Sequence, residues 1–385
     1  MNLLWLASWY PNRTDPSTGD FIERQARAVA PFVDNLFVVG VFKDPRMPAG
    51  TREIIRSTSG NLHTCIAYYG PGGWGGLLEP LHSSRTYLRL QESLFREIST
   101  EHGAPPLIHV HVAMKAGWFA RKMKKKRGIR YVVTEHWTGY LPGAVPSLRD
   151  MGRVYRMMNN NVLQHASMLI PVSKNLGECL SATGISVPQQ VIPNVVDTAL
   201  FRFEPATAGR FRFVHFSYLN RQKNPEGILQ ACAILQSRGL DFECRLMGAA
   251  SPELEKEITK KGLASVVSVL PEMPHEEVAV AMRSAQALVM FSRFENLPCV
   301  VLEALCSGLP VVSSNVGGLS EVINESNGLL VPEGDVEALA AAMESVLNDY
   351  ARFNRRGIAE SASALFNTKR IGEAHQAIYR ELAGL

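Results

Sequence analysis

Apolar and polar positions form two kinds of segment along the chain, and the same alternation runs through both halves. Short apolar runs such as Leu3–Ser8 and Leu107–His111 are separated by longer segments with helical spacing, such as Phe21–Ala30. Short apolar runs between helical segments are typical of buried strands in parallel sheets. The pattern therefore predicts an α/β fold whose parallel sheets are covered by helices on both faces.

Each half is predicted to contribute one sheet. The predicted strands of the first half are Leu3–Ser8, Leu36–Val41, Leu107–His111, Tyr131–Thr134 and Met168–Val172. Those of the second half are Phe211–Phe216, Phe242–Met247, Val266–Leu270, Ala287–Phe291 and Val311–Ser313. Helices of the second half are predicted at Glu226–Arg238, Glu276–Arg283, Val300–Cys306 and Val336–Asn348.

The length of the chain, 385 residues, exceeds what one hydrophobic core usually supports. We predict two Rossmann-like, doubly wound domains facing a cleft, the first at 1–193 and the second at 194–370. The segment Pro193–Gly209 bears Pro and Asp and is the predicted linker. Ligands of such sheets bind beyond the carboxyl ends of the strands, so the loops after the strands are where functional residues are expected.

Composition restricts the class of protein. Apolar residues make up 46% and charged residues 20% of the chain, as in ordinary globular proteins. The six cysteines form no CxxC pair, so a disulfide framework and a thiolate zinc site are not expected. The apolar start at Leu3–Ala7 lacks the basic region of a signal peptide, and no apolar run reaches membrane-spanning length. We predict a cytoplasmic protein.

Positive charge is concentrated in the first half. Residues 1–195 hold 22 Lys and Arg against 13 Asp and Glu, whereas the remainder holds 18 against 23. This distribution indicates an anionic partner for the first domain. The run Arg121–Arg127 either contacts anionic lipid at the inner face of a membrane or is a solvated helix end. No nucleic-acid motif accompanies the run, so nucleic acid is not expected as a partner.

The segment 291–305 carries the most specific chemical signal. It follows a predicted buried strand and leads into a helix, with Pro298 suited to the first helical position and Gly308 suited to the helix end. Glu295 is placed in the loop, and Glu303 about one and a half turns into the helix. Two carboxylates so placed can hold two parts of one polar ligand, while the first helical amides face an anion.

These residues resemble glycosyltransferase family 4. The family pattern is a Glu, seven residues, a second Glu, and then Ala-x-x-x-Gly-x-Pro-Val-Val, and the chain matches it from Glu295 through Val312. The agreement continues through 317–323 and 327–331. The resemblance implies two Rossmann-like domains in the GT-B arrangement. It also implies a C-terminal helix, here 371–385, that packs back on the first domain.

The resemblance assigns roles to this segment. Glu295 and the backbone of Asn296, Leu297 and Pro298 are implied to contact the donor sugar and its diphosphate, and Glu303 to accept the ribose hydroxyls. A helix-capping role for Glu295 and a solvated position for Glu303 are the structural alternatives.

The loop after the first strand of the second domain matches the family in part. Lys223 corresponds to the Lys that the family places against the diphosphate, whereas Tyr218 stands where the family has Arg. Arg221 either replaces that Arg from the same loop or is a solvated loop cation.

In the first domain the resemblance points to residues at strand ends. His111 ends its strand and is assigned to the transferred sugar, whereas His109 fits a hydrogen-bonded core position. Glu135, His136 and Trp137 follow the next strand and are candidates for sugar or acceptor contact, with a core position as the alternative for Trp137.

The loop before the first helix supplies one further candidate. The resemblance implies that this loop comes up to the donor phosphate, and Gly19 allows its backbone to approach closely. Asp20 and Glu23 after it have the spacing of a capping box.

The resemblance implies a retaining, metal-independent hexosyltransferase. The chain has no Asp-x-Asp motif, so neither a metal nor a cofactor is expected, and the co-substrate is a nucleotide-diphosphate sugar. The acceptor is expected to be a glycan or a lipid-linked hydroxyl in surface polysaccharide or lipopolysaccharide synthesis. A nucleotide-sugar epimerase of the same fold and a non-catalytic nucleotide-sugar-binding protein are the alternatives. The sequence does not select the base, sugar, linkage or oligomeric state.

Overall fold

The structure is a computed structural model that describes residues 1–72, 79–205, 209–249 and 251–384. The strands are β1 (Asn2–Ala7), β2 (Asn35–Lys43), β3 (Arg52–Ser59), β4 (Leu62–Tyr69), β5 (Leu107–His111), β6 (Arg130–Glu135), β7 (Met168–Pro171), β8 (Phe211–Phe216), β9 (Phe242–Met247), β10 (Val267–Leu270), β11 (Ala287–Met290), β12 (Val311–Ser314) and β13 (Gly328–Val331). The α-helices are α1 (Asp20–Val29), α2 (Glu79–His102), α3 (Gly117–Arg127), α4 (Arg153–Gln164), α5 (Lys174–Ala182), α6 (Pro225–Ser237), α7 (Pro252–Lys260), α8 (His275–Arg283), α9 (Cys299–Cys306), α10 (Val336–Asn348), α11 (Arg355–Phe366) and α12 (Thr368–Ala383).

The first domain is built on a seven-stranded sheet with the order β3-β4-β2-β1-β5-β6-β7. All neighbouring strands are parallel except β3 and β4, which form an antiparallel hairpin at the edge. The predicted strands are confirmed to within two residues at either end, but the β3–β4 hairpin was not predicted. The exposed edge strand β3 reads Arg-Glu-Ile-Ile-Arg-Ser-Thr-Ser and lacks the apolar run that marks a buried strand.

The second domain is built on a six-stranded parallel sheet with the order β10-β9-β8-β11-β12-β13. Its five predicted strands are confirmed, and β13 is an additional short strand at the edge. The predicted helices of both domains are confirmed to within one residue at either end. The two parallel-sheet α/β units therefore agree with the predicted fold class.

The C-terminal helix α12 crosses back to the first domain, as predicted, and packs against α1. Its Tyr379 hydroxyl lies 2.7 Å from Nδ1 of His109 in the core of the first domain. The helix begins at Thr368, three residues before the predicted segment. Residues 206–208 of the predicted linker, Ala250 and Leu385 lie outside the described residues, and the boundary at 193/194 stays a prediction.

Two predicted helix starts are wrong in detail. Gly19, with φ of 72°, is the residue that precedes α1, and no side chain caps this helix, so Asp20 and Glu23 do not form a capping box. Pro298 precedes α9 rather than opening it. The predicted end of α9 is confirmed, because Gly308 follows the helix with φ of 75°, a conformation that favours glycine.

Within the described ranges, the structure has no helix of the length and apolar character that a membrane span requires.

Candidate active site

A cleft of about 680 Å³ lies between the carboxyl edges of the two sheets. This volume falls in the range of small-molecule sites. The first domain contributes Gly19, Arg24 and His136 to its walls, and the second contributes Lys223 and Glu295, among others. The site therefore stands where the doubly wound folds of both halves predict a ligand.

Lys223 and Glu295 form an ion pair in the cleft. The Lys223 Nζ lies 2.5 Å from Glu295 Oε1, and the two side chains are 15% and 5% exposed. Two further hydrogen bonds join their loops, since Arg293 N donates to Gln222 O at 2.8 Å and Gln222 Nε2 donates to Phe294 O at 3.0 Å. The pair is thus held in place by the loops after β8 and β11.

The Gly317–Gly318 turn supports the backbone of Glu295. Gly317 has φ of 57°, and a Cβ at this position would lie 1.6 Å from the Glu295 carbonyl oxygen. Gly318 N donates to Asn296 O at 2.8 Å. Any side chain at 317 would therefore displace the loop that carries Glu295.

The segment between Glu295 and α9 bridges the two domains. Asn296 Nδ2 donates to the main-chain oxygen of His136 in the first domain at 2.5 Å. Asn194 Nδ2, in the predicted linker, donates to Leu297 O at 2.9 Å. Asn296, Leu297 and Pro298 all line the cleft. The amides of Cys299 and Val300 follow them at the start of α9, where helix amides have no intrahelical acceptor, so this end of the helix favours an anion.

Glu303 lies on α9 and faces the cleft, although it is only 4% exposed. His275 Nε2 lies 2.9 Å from Glu303 Oε1, and an Arg24 Nη2 lies 3.7 Å from the same oxygen. Glu303 is therefore not the solvated helix residue of the alternative interpretation. His275 and Arg24 were not predicted, because each lies at an ordinary helix position in the sequence and reaches the cleft only through the tertiary fold.

Gly19 lines the cleft immediately before α1. A Cβ at this residue would lie 2.6 Å from the Trp9 carbonyl carbon and 2.7 Å from Tyr10 N. The positive φ and the close backbone contact both require glycine here. The loop can therefore present main-chain atoms, rather than a side chain, to a ligand.

His136 reaches the cleft from the loop after β6, as the sequence predicted for one of the strand-end candidates. It is 8% exposed and packs 4.6 Å from the ring of Phe21. Burial lowers its pKa to about 3, with a further contribution from His375. The imidazole is therefore neutral at physiological pH.

Glu135 is a support for His136 and does not line the cleft. Its Oε1 accepts hydrogen bonds from the main-chain nitrogens of His136 and Trp137, both at 3.0 Å. Its Oε2 accepts one from Ala113 N at 3.0 Å. Burial raises the pKa of Glu135, and these backbone donors oppose the rise. The expected sugar contact by Glu135 is corrected to a structural role.

Trp137 and His111 also lie outside the cleft. Trp137 packs against Tyr140 at 5.2 Å between ring centroids, which fits the core alternative. His111 is fully buried, and its ring lies 4.0 Å from Trp5. Neither ring nitrogen of His111 has a hydrogen-bond partner among the described residues. Because the protein encloses it completely, His111 cannot contact a sugar in this structure, and that assignment is corrected.

The loop after β8 brings Tyr218 and Lys223 to the cleft but leaves Arg221 outside it. Arg221 is exposed, and Tyr218 is 54% exposed. The loop therefore supplies one cation to the site. Within the described ranges, no group of three or more His, Cys, Asp or Glu residues is arranged to hold a metal ion.

Two family models match the chain. "Glycosyl transferases group 1" matches residues 197–362, and "Glycosyltransferase Family 4" matches residues 46–200. Similar curated proteins include a D-inositol 3-phosphate glycosyltransferase from Arthrobacter sp. (strain FB24), 34% identical over 46% of this chain and 45% of that protein. The putative teichuronic acid biosynthesis glycosyltransferase TuaC of Bacillus subtilis is 23% identical over 89% of this chain and 88% of its own. The chain spans about half the length of several curated relatives that it matches.

Solved structures share the whole fold. Sucrose-phosphate synthase from Thermosynechococcus elongatus superposes with a TM-score of 0.80, at 22% identity and over 100% of both chains. Anabaena Alr3699/HepE, solved with UDP and glucose, superposes with a TM-score of 0.72, at 19% identity and over 100% of both chains. These likenesses establish the two-domain GT-B fold. The two family matches together run from residue 46 to residue 362, and the chain belongs to glycosyltransferase family 4.

Proposed function

We propose that the protein is a retaining hexosyltransferase that uses a nucleotide-diphosphate sugar and needs no metal. The observation that carries the proposal is the Lys223–Glu295 pair, 2.5 Å apart, in a cleft that also contains Glu303 and the first turn of α9. The HepE structure, solved with UDP and glucose, has the same fold and supports a nucleotide-sugar donor.

The second domain holds the donor in this proposal. Lys223 and the first-turn amides of α9 bind the diphosphate, since a helix N-terminus and a cation together stabilise an anion. Glu303 accepts hydrogen bonds from the ribose hydroxyls. The diphosphate replaces Glu295 as the ion-pair partner of Lys223, and Glu295 then accepts hydrogen bonds from the hydroxyls of the donor sugar.

Transfer proceeds at the face of the sugar from which the diphosphate leaves. The bond between the anomeric carbon and the phosphate oxygen breaks, and the acceptor oxygen bonds to the same face of that carbon. The acceptor proton passes to an oxygen of the leaving phosphate, so no separate base is required. His136 is neutral and lies at the cleft wall. It orients the sugar while positive charge develops on the sugar ring.

The acceptor in this proposal is an anionic or lipid-linked molecule used in surface polysaccharide or lipopolysaccharide synthesis at the cytoplasmic face of a membrane. The positive charge of the first domain supports this choice. Residues 115–156 contain 11 Lys and Arg against two Asp and Glu, and one of the two, Glu135, is buried. A groove of about 400 Å³ on this domain, here the basic groove, is lined by Trp118, Arg121, Lys122, Lys125, Lys126 and Asn161. Such a surface attracts anionic headgroups, each nearby cation contributing about 1 kcal/mol.

The test is a panel of UDP, GDP and ADP with their sugars, each with and without EDTA. One nucleotide diphosphate is expected to stabilise the protein by about 2.7 kcal/mol at 100 times its dissociation constant, and EDTA is expected not to reverse this. The matching donor is then incubated with acceptor hydroxyls, and NMR of the product is expected to show the anomeric configuration of the donor.

The outcomes separate the alternatives. An altered sugar released without an acceptor would identify an epimerase, and binding without turnover of any acceptor would identify a non-catalytic binding protein. If no nucleotide diphosphate stabilises the chain, the proposed donor site is wrong. Loss of turnover in EDTA that Mg²⁺ restores would contradict metal independence alone.

A further inference from the structure

The charges that line the cleft are unbalanced for a diphosphate ligand. Of the described residues in its wall, two side chains carry a full positive charge, Lys223 and Arg24. Four carboxylates face the same cleft: Asp20, Glu272, Glu295 and Glu303. A dianionic ligand entering this field needs every available cation, because uncompensated like charges in a partly buried site repel strongly.

The second domain supplies one of those cations. Tyr218 occupies the position where the family pattern has Arg, and Arg221 is exposed and outside the cleft wall. Lys223 alone remains on that side. The other cation, Arg24, comes from α1 of the first domain and therefore faces the donor site from the opposite wall.

Arg24 is held at the cleft by contacts with both domains. Its Nη1 lies 2.6 Å from Asp20 Oδ2, and its Nη2 lies 3.7 Å from Glu303 Oε1 on α9. The side chain is 19% exposed, and its Nε is buried without a hydrogen-bond partner. Burial alone would lower the pKa of Arg24, but Cys299, Glu303 and Asp20 raise it, so the guanidinium stays charged.

The contact with Glu303 places this guanidinium beside α9, whose first-turn amides are proposed to bind the diphosphate. Cys299 is the first residue of the eight-residue helix α9, and both Cys299 and Val300 line the cleft. An anion at that turn would lie between the amides of one domain and the guanidinium of the other.

We propose that Arg24 is the second cation of the donor site and binds the diphosphate from the first domain, in place of the Arg that is absent at position 218. The inference rests on the proposed function and names a residue that the family pattern does not. On binding, the guanidinium exchanges Asp20 and Glu303 for phosphate oxygens, which it can hold in a bidentate manner. Glu303 is then free to accept the ribose hydroxyls.

This arrangement predicts that the diphosphate, rather than the nucleoside, draws the two domains together. Lys223 and the α9 amides hold the phosphates from one side, and Arg24 holds them from the other. A nucleoside without phosphates makes no use of Arg24. The diphosphate-dependent part of the affinity is therefore the quantity that Arg24 controls.

The test measures dissociation constants of a nucleoside and of its diphosphate by calorimetry, after the base has been selected with UDP, GDP and ADP. Arg24→Gln is compared with the wild type and with Arg27→Gln, a matched control one turn along α1. Arg27 pairs with Glu23 at 2.6 Å and its side chain is 61% exposed. We expect Arg24→Gln to reduce the affinity ratio of diphosphate to nucleoside by about 10- to 100-fold. Arg27→Gln is expected to leave the ratio within about threefold.

The outcomes distinguish this inference from the proposed function. Suppose that the wild type binds a diphosphate, and that Arg24→Gln either lowers the affinities for diphosphate and nucleoside equally or changes neither affinity. Arg24 then acts only as a structural partner of Glu303, and the inference is overturned. If the wild type binds no nucleotide diphosphate, the proposed function and the inference both fall. Should Arg24→Gln fail to fold, Arg24→Lys retains the charge without the bidentate geometry and is expected to reduce the ratio about three- to tenfold. An unchanged ratio in that variant would overturn the inference.

Discussion

Nζ of Lys223 and Oε1 of Glu295 lie 2.5 Å apart, and this contact neutralises two groups that the proposed donor needs separately. The pair is nearly enclosed by the cleft walls, so each charge stabilises the other while the site is empty. In the proposed donor complex, a bound diphosphate replaces Glu295 as the partner of Lys223 and leaves the carboxylate to accept hydrogen bonds from sugar hydroxyls. In this proposal donor binding is an exchange of partners: Lys223 pairs with the diphosphate, and Glu295 keeps hydrogen-bond donors in the sugar hydroxyls.

Removing either member of the pair is expected to stop transfer. Glu295→Ala leaves Lys223 without its partner and removes the sugar contact, and we expect no measurable turnover. Lys223→Met removes a diphosphate cation and is expected to lower kcat about 10²- to 10³-fold, because charge stabilisation at the leaving group is lost. Steady-state kinetics with the matched donor measures both effects.

A control for this prediction is Lys43→Met. Lys43 pairs with Glu79 at 2.5 Å, away from the cleft wall. Its turnover is expected to remain within about threefold of the wild type. Unchanged turnover in Glu295→Ala would contradict the assignment of the site.

Substitution of His136 is expected to lower kcat, whereas substitution of His111 is not. His136→Ala is expected to lower kcat about 10²-fold, since His136 lines the cleft, with little change in nucleotide affinity. His111→Phe is expected to keep kcat within about threefold, because His111 is enclosed and makes no hydrogen bond among the described residues. Kinetics and thermal melting of both variants separate catalysis from packing. A larger loss of kcat in His111→Phe than in His136→Ala would restore the original assignment.

The basic groove is expected to bind vesicles that contain anionic phosphatidylglycerol and not vesicles of phosphatidylcholine alone. Lys125→Glu combined with Lys126→Glu is expected to weaken this binding at least tenfold, and raised salt is expected to weaken it in the wild type. Lys260→Glu combined with Lys261→Glu changes the same charge at exposed positions of the second domain and is the control. Cosedimentation measures binding. Equal loss in both double variants would show that net charge, rather than this surface, governs adsorption.

Acid is expected to destabilise the fold through its buried histidines. Burial lowers the pKa of His375 to about 4 and that of His136 to about 3, against an ordinary value of 6.5. Burial also lowers the pKa of His109 and His111 well below that value. The unfolded chain thus binds protons that the native chain excludes, so this stability is complete above pH 6.5 and is lost as the pH falls toward the native values.

Chemical denaturation between pH 7 and pH 5 measures this dependence. Each such histidine is expected to lower the free energy of unfolding by about 1.4 kcal/mol at pH 5.5. His375→Gln is expected to reduce the slope of unfolding free energy against pH by about one proton, and His165→Gln, an exposed position, is expected to leave it unchanged. Identical slopes in His375→Gln and the wild type would exclude His375 as a source of the acid sensitivity.

Sequence periodicity predicted the sheets well because their central strands are buried on both faces. It missed β3, β4 and β13, and the exposed edge position of β3 imposes no apolar pattern. It also made both His111 and His136 candidates and could not show that His111 is enclosed whereas His136 lines the cleft. The register pairs His111 with Thr134 inside the sheet, whereas β6 ends at Glu135 and His136 lies one residue beyond it. Neighbouring strands end at different positions along the carboxyl edge of the sheet. The apolar pattern of one strand does not show where it ends relative to the next strand.

The candidate site was predicted where local sequence determines it. Glu295, Glu303 and Lys223 follow strands of one domain, and their loops bring them to the same edge. Arg24 and His275 could not be found in this way. Arg24 approaches Glu303 only because two domains face each other, and a helical Arg four residues after Asp20 has the pattern of an ordinary surface ion pair.

Because α12 follows the second domain in the chain but packs on the first, it affects the order in which the two domains can finish folding during synthesis. Tyr379 and Ile378 are buried in the core of the first domain, although they follow the second domain along the chain. A ribosome that has finished the first domain's sheet has not yet made the residues that complete its core. The first domain therefore reaches its final packing only after the second domain has been synthesised, and C-terminal truncation before Thr368 is expected to expose an apolar surface on α1 that recruits chaperones.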